Sequence, residues 1–210
     1  GLSFENAFCN SAMCSPSRGT FFTGKYPAEH GVVGTLTEDG TLSPSEPTLQ
    51  PTEQNMAKVL ASAGYRVHYR GKWHISDADL TVPGSRVTVN SYTDTGERDL
   101  EREALYQEAD RLAGYGFEGW IGPEPHGSKP LNSASSAKDK LGRDQGFAAQ
   151  VVELIEDLDS DDDDRPWFMV ASFLDPHDIA LWGYGTQRSE LFDFSVDESV
   201  WLDCFFIGNI

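Results

Sequence analysis

Trp167-Phe168-Met169-Val170-Ala171-Ser172-Phe173 is a continuous apolar run set between Pro166 and Asp175-Pro176. A run this short has strand length. Without polar alternation it reads as a strand covered on both faces in a parallel sheet. Parallel strands need long crossovers, usually helical. The stretch upstream supplies one: Phe147, Val151, Leu154, Ile155 and Leu158 recur at helical spacing, predicting a helix over about 145–158. Between the two lies Asp159 to Asp164, acidic apart from Ser160. It reads as a solvated loop, because a calcium loop needs ligands at alternating positions and a glycine turn.

Further upstream the same alternation of elements repeats. Tyr65, Val67 and Tyr69 alternate with polar residues, as a strand does, and run into Gly71-Lys72-Trp73-His74. Thr52 is placed to cap a helix with Met56, Val59, Leu60 and Ala63 on one face, ended by Gly64. Ser15-Pro16-Ser17-Arg18 reads as a helix start and Gly24 as its stop. Residues 25–50, rich in Gly, Pro, Thr and Ser, read as a long loop. Residues 76–143 carry scattered charge and turn formers, with one helix near about 98–113. Helix–strand alternation predicts an α/β fold with a mostly parallel central sheet and helices on both faces. No repeat of fixed period is present.

The chain has 210 residues, 39% of them hydrophobic, which suits one domain or part of one. Its formal charge is −18, from 16 Lys and Arg against 34 Asp and Glu. That balance excludes a nucleic-acid phosphate footprint and a polybasic membrane patch. No apolar stretch approaches the about 18–20 residues of a membrane span. Three cysteines do not make a disulfide framework. The chain opens at Gly1 without a signal-peptide pattern and closes on the apolar run Trp201 to Ile207, so a piece cut at both ends is expected, with localisation left open.

Cys14 stands in Cys14-Ser15-Pro16-Ser17-Arg18, where a helix N-terminus and an arginine give a positive field suited to a nucleophile or an anion. Taken alone, one cysteine is as readily a small buried hydrophobe. The longer stretch Ala12 to Gly24 resembles, without a gap, the first signature of the type I sulfatases, a branch of the alkaline phosphatase superfamily. Gly64-Tyr65-Arg66-Val67-His68-Tyr69-Arg70-Gly71-Lys72-Trp73-His74 is similar to the second signature. Val67 stands where Thr or Ser is usual, and Arg70 where a small or aliphatic residue is usual. Leu174-Asp175-Pro176-His177-Asp178 after the apolar run looks like the family's Pro-His motif, at the strand end where open α/β sheets place ligand groups. Tyr26-Pro27 and His30-Gly31-Val32 also fit and read as loop support. His68 and His126 match no functional position of the family and read as structural or surface residues.

The resemblance implies a sulfuric ester hydrolase in which Cys14 is oxidised to formylglycine by a formylglycine-generating enzyme. It implies catalytic roles for Cys14, Arg18, Lys72, His74 and His177. Position 14 supplies the nucleophilic oxygen, Arg18 holds that side chain, and Lys72 neutralises charge on it and on the sulfate. His177 protonates the leaving alcohol. His74 takes a proton from position 14 so that sulfate leaves and the aldehyde returns. The resemblance also implies a divalent cation, calcium rather than magnesium, with position 14 as the one metal ligand in this chain. The family's Asp-Asp pair is expected before Gly1 and its Asp-Asn pair after Ile210. Residues 1–210 are therefore expected to be an incomplete sulfatase catalytic domain, inactive alone, whose whole protein acts on a small-molecule or carbohydrate sulfate ester. Two other readings stand beside this one: a phosphonate or phosphodiester hydrolase of the same superfamily, and a non-catalytic fragment lacking the metal ligands.

Overall fold

The strand Arg66–Gly71, β1, is buried along its whole length and pairs in parallel with Trp167–Ser172, β2. The register runs from Arg66 opposite Trp167 to Gly71 opposite Ser172. The structure is a computed structural model and describes residues 3, 5–37, 46–125, 142–175 and 177. Among these, the helices are α1 (Cys14–Thr23), α2 (Pro27–His30), α3 (Met56–Ser62), α4 (Leu100–Ala109) and α5 (Arg143–Ser160), with a 3-10 turn at Ala113–Tyr115. The fold is mixed α/β with a parallel pair, as predicted. No helix among the described residues is long and apolar enough to cross a membrane. His126 and the apolar run 201–207 lie outside the described residues.

Successive side chains of a strand point to opposite faces. Val67 and Tyr69 enter the main core, beside Phe22 of α1, Ala57 of α3, Trp73, Tyr106 of α4 and Phe117. Arg66, His68 and Arg70 take the other face. There Arg66 pairs with Asp161 just past α5, and the Arg70 guanidinium bonds the carbonyls of Tyr69 and Gly119. The two departures from the second signature are accounted for here. Val67 is a core residue, and Arg70 is a buried charge whose Nη1 donates to backbone oxygens while its buried Nε makes no hydrogen bond among the described residues. Burial pulls the Arg70 guanidinium down to about 10, against the pull of Glu103 and other carboxylates.

Several expectations are corrected. The apolar run of β2 is not covered on both faces: Trp167 is 42% and Phe173 is 45% exposed, while β1 is the fully buried strand. Polarity misled because the arginines of β1 are buried with partners, whereas β2 is an edge of the described sheet. The cap of α3 is Asn55 rather than Thr52: its Oδ1 accepts from Lys58 N and its Nδ2 donates to Tyr115 O. Val59 lies on the exposed side of that helix and Ala57 on the buried one. Residues 25–50 are not loop throughout, since α2 interrupts them. The helix of α1 begins at Cys14 itself, capped by Met13 without a side-chain bond, and ends as expected on left-handed Gly24. In α5, Phe147 and Leu158 are buried but Ile155 is exposed. Asp161 and Asp163 are not merely solvated; both pair with Arg66.

Candidate active site

α1 carries Cys14 as its first residue, and Pro16 in the first turn needs no intrahelical partner for the N–H it lacks. Ser15 is fully buried and its Oγ accepts the Leu36 amide at 3.1 Å, which draws the 36–37 strand of chain over the helix start. Gly19 faces His30: a Cβ there would lie 2.6 Å from Cε1 of the ring. His30 Nδ1 accepts from Val32 N, so its Nε2 carries the proton and donates to Thr20 Oγ1 at 3.2 Å. Histidine 30 is thus loop support, as its sequence position suggested.

The tip after β1 meets this helix start. Gly71 has φ 92°, and a Cβ on it would sit 2.0 Å from Ser172 O, so only glycine passes there. Lys72 N then bonds Ser172 O at 3.0 Å, and Lys72 is buried. Trp73 is fully buried among Phe22, Tyr69, Tyr115 and Phe117, with ring centroids 5.2–5.7 Å away. Its indole N–H donates to Ser76 Oγ.

Cys14 Sγ and His74 Nδ1 are 3.2 Å apart. His74 Nε2 lies 3.0 Å from Leu36 O, and a carbonyl only accepts, so Nε2 holds the ring proton. In the neutral ring Nδ1 is therefore a bare lone pair facing position 14. Cys14 is part-exposed, so this side chain is reachable from solvent. Arg18, one helical turn on, donates through Nε to Trp73 O at 2.7 Å. Its Nη2 reaches Tyr69 Oη, Lys72 O and Ser172 Oγ. These bonds clamp α1 to the tip and to the end of β2. His177 lies in the turn beyond β2, exposed, with its amide on Leu174 O at 2.7 Å. The structure thus joins Cys14 and His74 directly, ties Arg18 to the same tip through the carbonyls of Lys72 and Trp73, and places His177 past the same end of the sheet.

Glu124 was not singled out by sequence reasoning. Its Oε2 accepts Trp73 N at 3.1 Å and its Oε1 accepts His74 N at 2.6 Å. Its own amide donates to Asp79 Oδ1 at 2.7 Å. Burial pushes both carboxyls up, Asp79 to about 8 with Glu124 adding to it. The His74 and Trp73 amides and the charges of Lys72 and Arg18 act the other way on Glu124. Among the described residues no group of three or more His, Cys, Asp or Glu side chains could hold a metal ion. Position 14 offers one donor where a hard cation takes about six oxygens, so these residues do not fit a bound cation by themselves.

A family model, Sulfatase, matches residues 1–191. The chain belongs to the sulfatase family. Human N-acetylglucosamine-6-sulfatase is 36% identical over 73 residues, 35% of this chain and 13% of that protein. The arylsulfatase of Hemicentrotus pulcherrimus is 36% identical over 92 residues, 43% of this chain and 16% of that protein. The matched stretches are thus a small part of each relative's length. The solved structure of yidJ from Bacteroides fragilis superimposes with a TM-score of 0.50 at 20% identity, over 84% of this chain and 37% of that one. That likeness bears on the fold and agrees with the α/β reading.

Proposed function

We propose that this chain forms the nucleophile-bearing part of a sulfuric ester hydrolase that cleaves a small-molecule or carbohydrate sulfate monoester. One observation carries the reading: the side chain of position 14 lies 3.2 Å from Nδ1 of His74, whose other nitrogen faces Leu36 O at 3.0 Å. In the neutral ring, with the proton on Nε2, Nδ1 can accept from a side chain that must give up a proton. Formylglycine at position 14, formed from Cys14 by its maturing enzyme, would supply the attacking oxygen. Cleaving a sulfate ester puts negative charge on the leaving oxygen and on the transferred group. Lys72, in the tip, and Arg18, which bonds the tip's carbonyls, supply the positive charge that this step needs. His177, past the end of β2, gives a proton to the leaving alcohol. His74 takes a proton from position 14 in the sulfate-releasing half of the cycle. The cation that the resemblance implies, calcium in our reading, would need donors beyond the described residues.

The test uses the whole protein produced with a formylglycine-generating enzyme. A peptide spanning position 14 is expected to lose one sulfur and two hydrogens and to gain one oxygen by mass spectrometry, while Cys9 stays a thiol. Cys14→Ala is expected to abolish sulfate ester turnover, a loss of at least about 4 kcal/mol of transition-state stabilisation. An unmodified Cys14 together with undiminished activity in Cys14→Ala sinks the reading. Faster turnover of a phosphonate monoester than of a sulfate monoester moves the assignment to a phosphonate hydrolase with the same nucleophile.

A further inference from the structure

We propose that Glu124 is a positioning residue for His74, an inference that rests on the reading of His74 as the base at position 14. His74 has φ 55°, in the left-handed region that a residue with a Cβ enters only at a cost. Something must hold it there. Successive backbone amides turned toward one point make a small anion-binding concavity. In this chain the concavity formed by the Trp73 and His74 amides is filled by the chain's own carboxylate, one oxygen to each N–H.

The carboxylate is itself fixed from behind. Glu124 is buried, and its amide is tied to Asp79 Oδ1, which is buried as well. His74 is thereby held at three points: its backbone by Glu124, its Nε2 by Leu36 O, and its Nδ1 against Cys14. The backbone hold sets where the ring starts, and the ring has only two torsions to spend between Leu36 and Cys14. A carboxylate is costly to bury, and an apolar side chain would fill the space at less cost. Two parallel amide bonds to an anion are what an apolar residue could not replace. Glu124 bonds the amides of Trp73 and His74, and this hold ties its effect on the reaction to His74.

Replacing it predicts a defect in one half of the cycle. Glu124→Gln keeps the shape but turns an NH2 toward one of the two amides, so one bond is lost along with the charge. His74 acts, on the reading above, after the alcohol has left. In rapid-mixing experiments on the whole matured protein with an aryl sulfate, the Gln variant is expected to release a first equivalent of phenol at the wild-type rate. Its steady-state turnover should then be slower by about 10-fold or more, with KM falling rather than rising. Glu124→Asp retains charge and both acceptors but is shorter by one methylene, and is expected to show the same burst with a milder slowing. It serves should the Gln variant fail to fold. Steady-state turnover at the wild-type rate in the folded variants overturns the proposal. So does an equal loss of the first and later turnovers, which marks a merely structural residue. An inactive wild-type protein with unconverted Cys14 instead overturns the sulfatase reading, and the two failures are distinct.

Discussion

Arg18 Nη2 has two hydrogens and lies within bonding reach of three acceptors, while Nε holds a fourth, Trp73 O. A planar fork can serve the tip and the end of β2 together, and a lysine ammonium cannot. Arg18→Lys is expected to lower stability by about 1–3 kcal/mol, read from urea titration of the whole protein, and to lower turnover. A stability change within about 0.5 kcal/mol, with turnover kept, would show the clamp to be idle. At this scale the sequence was legible where chemistry is packed into short signatures. Cys14, Arg18, Lys72 and His74 stand in two such stretches, and the fold brings them to one tip. Glu124 gave no such signal. It is a single carboxylate between Pro123 and Pro125, in no periodic pattern, and it meets His74 only because the chain from 116 to 124 passes under the tip. The clamp by Arg18 was equally hidden, because two of its partners are backbone carbonyls that any residue could supply and the other two, Tyr69 and Ser172, come from distant segments.

Among the elements, β1 and β2 show what periodicity can and cannot say. Their existence, their bounds within a residue or two and their parallel sense followed from apolar patterning and the helices between them. Their burial did not. Alternation in β1 looked half-solvated, yet Arg66 reaches Asp161 and Asp163, and Arg70 reaches carbonyls, so the polar face is covered. Pairing between distant segments is invisible to a local pattern. At Gly71 the strands approach so that Ser172 O leaves no room for a side chain. Gly71→Ala combines a left-handed φ of 92° with that backbone clash. Neither can relax without parting β1 from β2, because the obstacle is a carbonyl and not a movable side chain. The expected loss is about 3 kcal/mol or more, seen as a large drop in the denaturant midpoint or as insoluble protein. Gly24→Ala, also at positive φ but with nothing within 4 Å, is the control and is expected to cost about 1 kcal/mol. Equal effects at the two glycines would show that backbone strain, and not the approach of the strands, is what matters at Gly71.

For the molecule as a whole, the charge of −18 and a few buried titratable groups shape stability against pH. Burial holds His68 down to about 4 from 6.5, with Arg70 and Arg66 acting the same way. Its proton is taken up by the unfolded chain before the folded one, so its contribution is full above 6.5 and is lost as pH falls toward 4. Asp79 is opposite. Burial first, then Glu124, lifts it from 3.8 to about 8, so the folded state keeps a proton that the unfolded state has released. Its contribution is full below 3.8 and is lost as pH rises through 8. Between about 4 and 6.5 the two slopes oppose each other; above 6.5 only the Asp79 slope remains. Stability is therefore expected to fall from pH 6.5 to 8 by roughly 1–2 kcal/mol on account of Asp79. Net negative charge grows over the same window and acts with the same sign, but salt separates the two causes. Self-repulsion on the surface is screened between about 0.05 and 0.5 M NaCl, while a buried carboxyl is screened little. Asp79→Asn keeps an oxygen for the Glu124 amide and removes the titration. In urea titrations of the whole protein at high salt, the fall from pH 6.5 to 8 should persist in the wild type and flatten in Asp79→Asn. A fall of the same size in both proteins at high salt would assign the pH dependence to other groups and leave Asp79 ionised in the folded state.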